Sequence, residues 1–167
     1  MIHRIGLAVS LFLLSHIATT NVVHAADYVD ATAYVSQGSK ALGPRWYEMQ
    51  MLLNEAFDDV CMDTFCEGDY TNLTSLAWRC SVDADNGTLG QCVWVFAGSA
   101  EFVDADTGDI DVDSITRVCP VPVFGDLQGL MESVLDSKHG NDSALNLLKR
   151  RVPGVAGTLY ASLAQCL

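Results

Sequence analysis

Leu76-Ala77-Trp78-Arg79-Cys80-Ser81-Val82, then Asp83-Ala84-Asp85-Asn86-Gly87-Thr88, then Cys92-Val93-Trp94-Val95-Phe96-Ala97 is the stretch on which the fold turns. Two runs rich in aromatic and β-branched residues flank a turn signal, because Gly87 can take the positive φ that closes a hairpin. A type I turn over Asp85-Asn86 with Gly87 left-handed pairs Ala84 with Thr88, so that opposite residues have numbers summing to 172. That register sets Leu76 against Phe96, Trp78 against Trp94 and Cys80 against Cys92. All six then share one face, which must be the core face, since a slip of one residue exposes them together. The other face, with Arg79, Ser81, Val93 and Val95, is of mixed character and is expected to be partly covered.

Downstream, Asp104-Ala105-Asp106-Thr107-Gly108-Asp109 repeats the first turn almost letter for letter. Between the turns Gly98 predicts a bend or bulge. After the second turn Ile110, Val112, Ile115, Val118 and Val121 resume an apolar pattern whose slip between Val112 and Ile115 predicts another bulge. Pro120 and Pro122 end that strand or confine it to an edge. The middle of the chain therefore reads as a three-stranded antiparallel meander, with room for a short fourth strand near Tyr70 to Leu73. Upstream, from Gly43-Pro44, apolar residues recur at Trp46, Met49, Leu53, Ala56, Phe57 and Val60. This spacing of three and four predicts an amphipathic helix of about 17 residues laid on the sheet. Helical spacing returns at Leu127, Leu130, Met131, Val134 and Leu135, with two shorter helices expected over 143–148 and 155–163. The class is α+β: a long helix on an antiparallel three- to four-stranded meander, then short C-terminal helices. That order resembles the cystatin-like or related wrapped-helix architecture, although no inhibitory loop motif accompanies it.

The chain of 167 residues carries nine Lys and Arg against 21 Asp and Glu. After Met1-Ile2-His3-Arg4 an apolar run from Ile5 to Ile17 leads to Val23-His24-Ala25-Ala26, the small-residue pattern at which export signals are cut. Residues 1–25 are expected to be a signal peptide, 26–41 a flexible leader, and 42–167 one disulfide-stapled domain. Its short basic start suits a bacterial signal, while Asn72-Leu73-Thr74, Asn86-Gly87-Thr88 and Asn141-Asp142-Ser143 are acceptors for glycosylation in a eukaryotic host. Loss of Arg4 leaves eight basic against 21 acidic groups, a formal charge of −13. Nucleic acid and anionic membrane surfaces are therefore poor partners. No second run reaches the roughly 18 to 20 apolar residues that a membrane span requires. The expected location is secreted or periplasmic.

All six cysteines, Cys61, Cys66, Cys80, Cys92, Cys119 and Cys166, lie beyond the signal peptide, and an even number in a small exported chain means three disulfides. A bridge between directly opposed neighbours is geometrically demanding. The expected pairs are therefore Cys66 with Cys80, Cys92 with Cys119, and Cys61 with Cys166. Zinc is disfavoured because there is no CxxC pair and His139 is the one histidine left after cleavage. No cofactor is expected.

For function, the acidic turns fall short of a calcium loop, because Gly87 and Gly108 stand fifth and the closing Glu is missing. Aspartates in hairpin turns ordinarily bond their own backbone. Catalysis finds little support: His139 lies in a polar loop, and there is no GxSxG or HExxH motif. Glu67 with Asp69 is the best-placed carboxylate pair for a glycan hydrolase. A rigid, acidic, exported domain better suits capture of a basic protein by electrostatic steering and aromatic anchors, as an inhibitor or immunity-type protein does. The expected surface is Asp104, Asp106, Asp109 and Asp111 with Phe102. The third alternative is a structural envelope or secreted protein kept soluble by its charge.

Overall fold

A computed structural model of the protein describes residues 26–38, 40–61, 64–67, 70, 72–136 and 144–167. The segment expected to be a signal peptide, residues 1–25, lies outside them. The elements are β1 (Tyr28–Asp30), α1 (Ala31–Gln37), α2 (Leu42–Cys61), β2 (Thr74–Asp83), β3 (Leu89–Val103), β4 (Ile110–Val121), α3 (Leu127–Leu135), α4 (Ala144–Lys149) and α5 (Leu159–Ala164). The four strands form one antiparallel sheet in the order β1-β2-β3-β4.

The periodicity of α2 translates directly into burial: Trp46, Met49, Leu53, Ala56, Phe57, Val60 and Cys61 are its buried residues. Phe57 packs on Phe96 and Trp94 at ring-centroid distances of 4.5 and 5.9 Å, so the helix lies across the central strands. Trp78 and Trp94 oppose one another and meet edge to face at 5.4 Å. Ser75 bridges the layers, accepting from Trp94 Nε1 at 2.7 Å and donating to Asn54 Oδ1 at 2.7 Å. On α3 the stripe at Leu127, Leu130, Met131, Val134 and Leu135 is buried as its spacing requires. Further along, α5 begins later than its apolar run, since the Thr158 hydroxyl caps it by accepting from Ala161 N–H.

The expected leader is instead structured. Residues 28–30 form the fourth strand, pairing with Asp83 to Ser81, and Asp30 caps α1 by accepting from Thr32 N–H. The fourth strand is therefore β1, and neither Asn72 nor Leu73 belongs to one. The β2–β3 register sums to 172 over Ala77 to Cys80 but shifts on both sides, pairing Ser75 with Phe96 and Val82 with Leu89. The bulge at Leu76 turns that side chain out, 56% exposed, and puts Ser75 where a hydrophobic residue was expected. No bulge occurs at Gly98 or between Val112 and Ile115. The β3–β4 register runs unbroken from Val103↔Ile110 to Cys92↔Val121. Gly98 is small for another reason: a Cβ there would lie 3.1 Å from Leu73 Cδ2 and 3.3 Å from Asn72 Oδ1.

The disulfides are Cys61–Cys66, Cys80–Cys92 and Cys119–Cys166, and all three expected pairings are corrected. The first closes the end of α2, where Cys66 N–H donates to Cys61 O. In the second, the cysteines are direct cross-strand neighbours with Cα atoms 4.1 Å apart. Such close approach is typical of a non-hydrogen-bonded antiparallel pair, which brings side chains nearer than its hydrogen-bonded alternative. The third ties β4 to the chain end across 47 residues. On loop-closure entropy alone this longest loop gives the largest stabilisation of the three, about 4 kcal/mol.

Candidate functional site

Beyond the body of the sheet, β3 and β4 continue as a two-stranded ribbon. Every residue from Glu101 to Ser114 is exposed. The ribbon exists because the strands keep register through Val103↔Ile110 and close on a tight turn, in which Asp104 N–H donates to Asp109 O and Gly108 N–H to Asp104 O. Gly108 has φ of 75°, a left-handed conformation that strongly favours glycine. The Asp104 carboxylate accepts from Asp106 N–H at 2.9 Å and Thr107 N–H at 2.8 Å. These two backbone bonds, Thr107 foremost, hold its carboxyl below the usual aspartate range.

The structure thus divides the expected binding residues. Asp104 builds the turn, whereas the side chains of Asp106 and Asp109 point to water without a described partner. Phe102 and Asp111 are cross-strand neighbours. At the base, Tyr70 donates to Asp113 at 2.6 Å, and Asn72 donates to Ser99 Oγ while accepting from Ser99 N–H. These two residues brace the ribbon against the loop that follows α2. Their bracing role left no mark in the sequence, because a lone Tyr or Asn has no periodicity that points to a partner. Asn72, one of the glycosylation acceptors, spends its side-chain amide on this brace.

The ribbon is also more apolar than the aspartates suggest. Phe102, Val103, Ile110 and Val112 are 57, 69, 68 and 56% exposed. The alternation Ile110-Asp111-Val112-Asp113 was the available signal. It reads as a strand with one apolar face, and the structure leaves that face open to water.

Among the described residues, no group of three or more His, Cys, Asp or Glu is placed to hold a metal ion. Glu67 is exposed; Asp69 and His139 lie outside the described residues, so the carboxylate pair is not defined. Arg79 on β2 donates to Asp30 on β1, with its Nη2 at 2.8 Å, toward the edge of the sheet opposite β4. No helix among the described residues is long and apolar enough to cross a membrane. Together with three disulfides, this is compatible with an extracellular or periplasmic protein. Comparison with protein-family models, with curated proteins and with solved structures finds no match for the chain.

Proposed function

We propose that the mature chain is an exported binding protein that captures a basic protein through the tip of its β3–β4 ribbon, as an inhibitor or immunity-type protein does. One observation carries this reading. Glu101, Asp104, Asp106, Asp109, Asp111 and Asp113 crowd a segment that contains no Lys or Arg, around exposed Phe102 and Val103. Charges of one sign on a protruding element steer an oppositely charged partner, and a neighbouring aromatic supplies the apolar anchor that steering lacks. The helix-on-meander order is consistent with our reading of a cystatin-like wrapped-helix architecture, and the reading of function does not depend on it.

The test is to immobilise the mature protein and recover partners from the native secretome at low and at high salt. A partner of high isoelectric point, retained at low salt and released at high salt, supports capture. Glycan turnover by the purified protein, with no such partner, would replace capture by hydrolysis.

A further inference from the structure

β4 is an edge strand, and its free side has an orderly pattern. Asp104 N–H bonds to Asp109 O, so the residues of β4 with odd numbers turn their backbone groups toward β3. The even ones turn theirs outward. Two bonds past the strand agree: Pro122 O accepts from Ala156 N–H and Phe124 N–H donates to Gly154 O, both from even residues on the outer side. Pro120, which lacks an N–H, also falls in the outward set, as a proline on an edge strand must. Among the described residues no backbone hydrogen bond reaches the outer edge of Ile110, Val112, Ser114, Thr116 or Val118.

We propose that a second copy of the chain covers this edge, with β4 pairing antiparallel to β4 about a twofold axis at Ser114. The sequence is self-complementary in that register. Ile110 opposes Val118, Val112 opposes Thr116 and Ser114 opposes itself, so that each of these outward groups gains a backbone partner and pairing stops short of Pro120. On the opposite face Asp111 meets Arg117 twice. These are non-hydrogen-bonded pairs, in which side chains come closest. Both Asp111 and Arg117 are exposed and have no ion-pair partner among the described residues. Asp113, which faces Ile115, already accepts from Tyr70.

Neighbouring registers fail. Centring on Val112 sets Asp111 against Asp113, and centring on Asp113 sets that residue against itself. Centring on Ile115 sets Asp113, already bonded by Tyr70, against Arg117 and pairs Ile110 with Pro120, leaving a carbonyl without a donor. Like charges directly opposite oppose pairing, as charges on edge strands commonly do. Here they eliminate the registers centred on Val112 and Asp113. The net charge of each copy opposes association at long range, but beyond about 8 Å that repulsion is screened at physiological salt, while the Asp111–Arg117 contacts lie within it. The two acidic tips would sit at opposite ends of the joined sheet. The dimer does not rest on the capture reading: it draws on Asp111 of the acidic surface and leaves Asp104, Asp106 and Asp109 at the tip outside the paired strands.

The test is sedimentation of the mature protein at micromolar to 100 μM concentration, with thermal melting to confirm that each variant folds. The parent is expected at twice the monomer mass. Arg117→Asp and Asp111→Arg should each shift the dimerisation constant at least tenfold toward monomer, and the double swap Asp111→Arg with Arg117→Asp should restore it. Under mild oxidation Ser114→Cys should cross-link two copies, since directly opposed residues fall within disulfide reach. Thr116→Cys, opposite Val112, should not. A monomeric parent overturns the proposal, and so does a dimer that the double swap fails to restore or that Ser114→Cys fails to cross-link.

Discussion

The turns Asp83 to Thr88 and Asp104 to Asp109 are nearly the same sequence, and they fold the same way. In each, the first aspartate accepts from the amide two residues on, the glycine donates back to that aspartate's carbonyl, and the glycine is left-handed, with φ of 78° at Gly87 and 75° at Gly108. Their surroundings are opposite. Gly87 is buried, its carbonyl accepts from Leu127 N–H at 3.0 Å, Thr88 bridges to Asp126, and Ala84 N–H donates to Asp27 O. Nothing lies within 4 Å of the Cβ position at Gly108. Local chemistry sets the shape of a turn, while the strand length behind it decides whether the turn docks. The extra residues of β3 and β4 carry the second turn past the helices, which leaves it free to meet another molecule.

The largest test of this difference compares the two ends of β3. Trp94→Ala empties a site between Trp78, Phe57 and Phe96 and should cost about 3–5 kcal/mol in chemical denaturation, whereas Phe102→Ala should stay within about 0.5 kcal/mol. Comparable losses at both ends would mean that the ribbon is packed rather than projecting.

The glycines give a smaller contrast. Gly108→Ala suffers the left-handed strain of about 1–2 kcal/mol. Gly87→Ala suffers that and a contact as well, because its Cβ would fall 2.8 Å from Tyr34 Oη. Its melting temperature should drop further than that of Gly108→Ala, and equal drops would show that the first turn is not docked.

Much of this was legible in the sequence, and what was missed has common physical causes. The α2 stripe and the Trp78–Trp94 opposition depend on periods of 3.6 and 2, which survive in any context that buries one face. The bulge at Leu76 depends on Ser75 finding both Trp94 and Asn54, a long-range fact without local mark. The β1–α1 segment looked structureless because its short strand and seven-residue helix are each too brief to show a period. Cys80 and Cys92 were placed opposite one another correctly, yet which antiparallel pairs lack hydrogen bonds depends on the neighbouring strand. At the site, the acidic turn was readable, whereas the exposure of Val103, Ile110 and Val112 was not. Apolar residues in a strand ordinarily signal core.

A still smaller effect comes from a bonded carboxylate in the body of the sheet. Partial burial raises the Asp30 pKa, but Thr32 N–H and hydroxyl, together with the Arg79 guanidinium, outweigh that and hold it below the usual range. A depressed carboxyl stabilises the fold above its unfolded pKa, and that contribution is lost as pH falls through the folded one. Asp30→Asn should therefore destabilise slightly at neutral pH. The gap from the parent should close as pH drops below about 4, and a gap that persists in acid would mean that the charge of Asp30 does not contribute.

The central claim is that the free turn, and not its docked twin, meets the partner. Its most direct test is association kinetics, at low salt, with the basic protein recovered from the secretome. Asp104 is left in place because its carboxylate builds the turn. Asp106→Lys with Asp109→Lys should slow association roughly tenfold or more and flatten its salt dependence, while Asp85→Lys on the docked turn changes the rate by less than about twofold. Parent-like association by the double variant, or an equal loss from Asp85→Lys, would contradict the account.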